Sequence, residues 1–98
     1  MKTTIKLGTS SFPIEIKQKI YENGRTCLIA YEDQDSEFGV ITLNISEISL
    51  KEKQIVVKTW FENRWTVQLL TLLPQHFKDT GKRVQVGFLT APIWKFYD

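Results

Sequence analysis

The stretch from Thr59 to Pro74, TWFENRWTVQLLTLLP, constrains this 98-residue chain most, because in it alone the apolar residues recur at helical rather than strand spacing. Phe61, Trp65, Leu69, Leu72 and Leu73 fall on one face of a helix. Asn63 is placed to cap its start, since a short side-chain oxygen can accept an orphaned N–H of the first turn. Pro74 ends it, having no N–H to donate and disfavouring helix in the residue before it. The spacing therefore predicts a single helix over about residues 63–73.

Around this helix the sequence reads as strand. Lys2 to Leu7 is a candidate edge strand with Thr3, Ile5 and Leu7 on one side, followed by a break at Thr9, Ser10, Ser11 and Pro13. The run after it places Ile14, Ile16 and Ile20 opposite Glu15, Lys17 and Lys19, the period of a strand with one wet face. Asn23-Gly24 signals a tight hairpin, with a type I′ turn expected, and Arg25 to Tyr31 returns. FGVITLNI, Phe38 to Ile45, alternates again, and Gln54 to Thr59 feeds the helix. Beyond it, Lys82 to Leu89 reads as a strand, Ala91-Pro92 as a break and Ile93 to Tyr97 as a last short strand. Grouped strands with one helix give an α+β fold: one domain over residues 1–98, an antiparallel sheet of five to seven strands, and the helix packed on one face.

Composition sets the functional bounds. A net charge of +2 with 24% charged residues makes no general electrostatic case for nucleic acid. A single cysteine, Cys27, permits no internal disulfide, and a free cysteine in an apolar run reads as a small buried hydrophobe. MKTTIKLG lacks the apolar stretch of a secretory signal, and no window approaches a membrane span, so the expected location is the cytoplasm. His76 is the sole histidine. With no phosphate loop, nucleophile elbow or zinc spacing, no catalytic residue, metal site or cofactor is expected.

Two surface features carry the remaining functional signal. Glu32, Asp33, Asp35 and Glu37 place four carboxylates in six residues, a solvated loop that can present charge to an arginine-rich partner. A calcium loop is excluded, because Phe38 stands where the sharp turn needs glycine. The last quarter interleaves Lys78, Lys82, Arg83 and Lys95 with Phe88, Trp94, Phe96 and Tyr97, the cation-and-ring combination of single-strand binders. Trp60 and Trp94 are candidate interface anchors.

VITLNI at Val40 to Ile45, the aromatic-led helix, and TGKRVQVGFLTAPIWKF from Thr80 to Phe96 resemble a family of small proteins of unassigned function borne on bacterial plasmids and conjugative elements. In size and lack of catalytic groups the chain is also similar to anti-CRISPR proteins. That likeness implies a non-enzymatic inhibitor that binds the type II RNA-guided effector nuclease or its guide-RNA complex, using the acidic loop with Trp60 and Trp94. The alternative is a nucleic-acid-binding accessory protein of a mobile element, using Lys82, Arg83 and Lys95.

Overall fold

The computed structural model describes residues 1–33 and 36–98. Eight strands follow in order: β1 Lys2–Leu7, β2 Ser10–Ile20, β3 Thr26–Tyr31, β4 Glu37–Val40, β5 Thr42–Leu43, β6 Gln54–Val57, β7 Phe77–Val86 and β8 Leu89–Phe96. They form not one sheet but two antiparallel sheets of four, ordered β1-β2-β3-β4 and β5-β6-β8-β7. Together with a helical segment between β6 and β7, this is the α+β class that the sequence leads one to expect. The expected single sheet of five to seven strands is divided at Ile41. There the N–H donates to Leu28 of β3 (2.9 Å) while the C=O accepts from Lys58, just past β6 (3.0 Å). One peptide thus serves both sheets, and FGVITLNI becomes two strands in different layers.

The turns follow local chemistry. Leu7 pairs with Ser10 and Val86 with Leu89, so Gly8-Thr9 and Gly87-Phe88 are two-residue hairpin loops. Each has glycine at the first central position with positive φ (61° and 62°) and a second residue outside that region, the pattern of type II′. At Asn23-Gly24 the hairpin is present but not as type I′. Gly24 alone takes positive φ (84°), and its N–H closes a turn onto Tyr21 (2.9 Å), giving a three-residue loop. Both strand-interior prolines sit where no N–H is required. Pro13 faces Thr4 beyond the last β2–β3 pair, and Pro92 lies opposite the bulge in β7 between Asp79 and Arg83. So neither the break before Ile14 nor the one at Ala91-Pro92 occurs; β2 begins at Ser10 and β8 runs through Pro92.

The helical segment is 3-10 over Phe61–Gln68 and α only over Leu69–Leu72. Asn63 does not cap it. Its side chain is buried and its Nδ2 donates to the Val40 carbonyl of β4 (2.6 Å), while the Thr66 hydroxyl donates to the Asn63 carbonyl (2.8 Å). That carbonyl is the one a following α turn would use, and its capture accompanies the tighter winding. Of the expected apolar stripe, Trp65, Leu69 and Leu73 are buried, whereas Phe61 and Leu72 are exposed.

Trp65, Leu69 and Leu73 join Ile5, Ile14, Ile16, Leu28 and Ala30 of the first sheet, and Ile55, Val57, Trp94 and Phe96 of the second, in one core. Phe38 meets Trp65 edge-on, with ring centroids 5.0 Å apart. A Cβ added at Gly39 would lie 3.1 Å from Cζ2 of Trp65, so glycine lets β4 lie against the indole. Gly39→Ala is expected to destabilise the fold by about 1–3 kcal/mol through this overpacking, read as a lowered urea midpoint at unchanged slope.

The helical segment also covers part of an open sheet edge. Met1 and Ile16 exchange both backbone bonds, so by the antiparallel alternation Lys2, Thr4 and Lys6 turn their backbone groups away from β2. At Lys6 the Gln68 amide takes both: Lys6 N–H donates to Oε1 (3.1 Å) and Nε2 donates to the Lys6 carbonyl (2.8 Å). Gln68→Ala is expected to cost about 1 kcal/mol in chemical denaturation and to produce concentration-dependent self-association in sedimentation, as an uncovered edge allows. An unchanged midpoint with a strictly monomeric variant would refute this role.

Candidate functional site

The acidic loop begins where β3 parts from β2. Their last pair is Glu15 with Tyr31; a bulge between Ala30 and Tyr31 shifts the register on the β4 side. The chain then turns on itself: Glu32 N–H donates to the Ser36 carbonyl (2.8 Å) and Ser36 N–H to Oδ1 of Asp33 (2.9 Å). Glu32, Asp33 and Glu37 are exposed; Asp35 lies outside the described residues. The divergence leaves a surface groove of about 580 Å³, to which the first hairpin contributes Thr4, Pro13 and Glu15 and the end of β3 contributes Tyr31, Glu32 and Asp33. Three carboxylates and the Lys2 ammonium thus line one depression, a net acidic one. Beside it the amines of Lys17 and Lys19 lie 5.1 and 5.9 Å from the Tyr31 ring centre, so cations and anions occupy adjoining parts of the first sheet.

The two tryptophans proposed as anchors have different fates. Trp60 is half-buried and packs on a second apolar cluster, built on Val56, Ala91 and Ile93 of the β6–β8 sheet. Trp94 is 1% exposed and meets Phe77 edge-on at 5.9 Å, so it is a core residue and cannot anchor a partner. Its indole N–H is buried without a hydrogen-bond partner. Among the large apolar side chains that reach solvent, with Ile20 and Phe61, Phe88 at the tip of the β7–β8 loop is fully exposed. The Gly87-Phe88 step between two alternating runs was the sequence signal for it.

The basic trio does not converge. Arg83 is held by both oxygens of Asp79, at 3.0 Å each, which keeps the Asp79 carboxyl below its ordinary range. Lys82 lies in the intervening bulge, and Lys95 stands directly opposite Lys78. Arg83 pairs with Pro92, three positions from Lys95, which puts the two on opposite faces of the sheet.

Other groups with chemical potential are engaged in the fold. Cys27 is buried, and the Tyr21 hydroxyl, whose pKa is raised chiefly by burial, is bound to the Thr42 hydroxyl (2.9 Å). His76 Nδ1 lies 2.6 Å from the Tyr97 carbonyl. Among the described residues no group of three or more His, Cys, Asp or Glu side chains could hold a metal ion, and no helix is long and apolar enough to cross a membrane. No protein-family model, curated protein or solved structure matches this chain.

Asp79→Asn isolates the ion pair, because the amide oxygen can still accept the Gly81 N–H that Asp79 Oδ1 receives at 2.9 Å. The pair is largely solvated, so the expected loss at neutral pH is under about 1 kcal/mol. A lowered folded-state pKa stabilises above the ordinary aspartate value of about 3.9, and that contribution is lost as pH falls through the lowered value. Urea midpoints of the two proteins should therefore differ at pH 7 and converge in acid.

Proposed function

We propose that this chain is a non-enzymatic binding protein that inhibits a bacterial defence nuclease in the cytoplasm. Its target is the type II RNA-guided effector, and it acts by occupying a basic surface meant for guide RNA or DNA. The observation that carries the proposal is the acidic groove. Glu15, Glu32 and Asp33 outnumber Lys2 in one depression at the end of the first sheet, with Glu37 exposed on the strand that follows the loop. Carboxylates grouped on a firm strand-and-loop frame attract an arginine- or lysine-rich surface and select it over neutral ones. Arg83 being neutralised by Asp79, and lying on the opposite face from Lys95, weighs against the accessory-protein alternative built on Lys82, Arg83 and Lys95. Trp60, partly exposed, is retained as a contact at the other sheet; Trp94 is not.

The test is co-purification of the tagged chain with a type II effector, with and without preloaded guide RNA, at two salt concentrations. Retention by the guide-free effector, lost on preloading and weakened by salt, is the expected result; no retention in either form would remove the proposal. Replacing Glu32, Asp33, Asp35 and Glu37 together by their amides should weaken that retention at least about tenfold while leaving the circular dichroism unchanged, since close charge pairs at interfaces couple by about 1.5 kcal/mol or more.

A further inference from the structure

We infer that the end of the β6–β8–β7 sheet farthest from the Phe88 loop is a binding site for the phosphate backbone of single-stranded nucleic acid, formed by Lys53, Lys78, Lys95 and Tyr97. None of the three lysines lies at the acidic groove; Lys78, Lys95 and Tyr97 belong to the basic, aromatic last quarter of the sequence, and the fold adds Lys53 while leaving Lys82 and Arg83 out.

Lys78 and Lys95 are direct cross-strand partners, so both side chains leave the same face of the sheet a few ångströms apart. Like charges placed so repel one another unless an anion lies between them. Tyr97 follows Lys95 by two residues, on the same side of an extended chain, with its ring partly exposed. Lys53 has a left-handed backbone (φ 67°), a conformation that non-glycine residues rarely hold. Its carbonyl accepts the Phe96 N–H at 2.8 Å, and its amine stands 5.2 Å from the centre of the Tyr97 ring. One exposed ammonium group thus stands over the Tyr97 ring, and two more leave the same end of the sheet as a cross-strand pair.

Among the described residues no ion pair to a carboxylate involves them. Glu52, Asp79 and Asp98 are the nearest acids along the chain, but Asp79 is engaged by Arg83, and the other ion pair is Lys58 with Glu62. Cations beside a stacking surface fit a single strand, in which phosphates and bases alternate, better than they fit a carboxylate polymer with nothing to stack. On the first sheet Lys17 and Lys19 also flank a ring, that of Tyr31, but Glu15 stands directly opposite it.

The test is fluorescence anisotropy of labelled oligothymidylate and oligouridylate with the full chain over a salt series. Three phosphate contacts predict a slope of log affinity against log salt of about −2. Lys78→Gln with Lys95→Gln should bring that slope to about −0.7 and weaken binding about tenfold or more at low salt. Tyr97→Leu should weaken binding about fivefold or more at an unchanged slope, with circular dichroism confirming the fold. Lys82→Gln, on the bulge, should leave both quantities unchanged. The inference is overturned by absence of binding at the lowest salt, by equal binding of polyglutamate, or by Lys82→Gln lowering the slope as much as the double variant does.

Discussion

The peptide at Ile41 is the point on which the architecture depends. Its N–H completes the edge of one sheet and its C=O begins the other, so the chain changes layers without leaving a buried polar group unpaired. The neighbouring Thr42 makes the corner firm: its hydroxyl accepts the Leu28 N–H at 3.2 Å and meets the Tyr21 hydroxyl at 2.9 Å, in a setting only 4% exposed. Ile41 itself is fully buried in the core. With the two sheets hinged there, their far edges, β1 and β7, stand apart. The helical segment lies against both, with Gln68 on β1 and its α turn against β7. Burial of Trp65, Leu69 and Leu73 between the sheets follows from that geometry.

Much of the framework was legible because it is local. The alternation around Ile14 and Ile16, the Asn23-Gly24 hairpin, the edge position of Lys2–Leu7, and the four-residue spacing of Trp65, Leu69 and Leu73 all depend on residues near one another in sequence. The features that escaped depend on distant partners. Nothing in VITLNI marks Ile41 as a corner, because its two acceptors and donors come from Leu28 and Lys58. Asn63 has the composition of a cap, but tertiary contact with Val40 claimed its side chain. Pro92 reads as a breaker until the opposite strand is seen to bulge.

The same division holds for the surface. Exposure of Glu32, Asp33 and Glu37 was evident from charge density, whereas the groove that Glu32 and Asp33 line exists because β3 leaves β2 after Tyr31 and Pro13 has no N–H to hold it. Grouping Lys82, Arg83 and Lys95 by sequence proximity failed because a strand alternates faces and a bulge resets the alternation. The pairing of Lys78 with Lys95 needs two placements, the turn at Gly87-Phe88 and the bulge between Asp79 and Arg83; the turn register alone would set Lys78 opposite Tyr97. Trp94 shows the limit in reverse: an aromatic amid basic residues looked like surface, and the even positions of β8 carry it inward with Phe96.

The Gln68 amide that covers Lys6 bridges 62 residues of intervening chain. The β1–β2, β2–β3 and β7–β8 hairpins, by contrast, close over a few residues and have little loop entropy to overcome. A molecule whose hairpins have closed but whose Gln68 clasp has not carries β1 as a complete strand with a bare edge. Such a molecule differs from the folded one by a single side chain's placement, yet it offers a second copy a template for pairing.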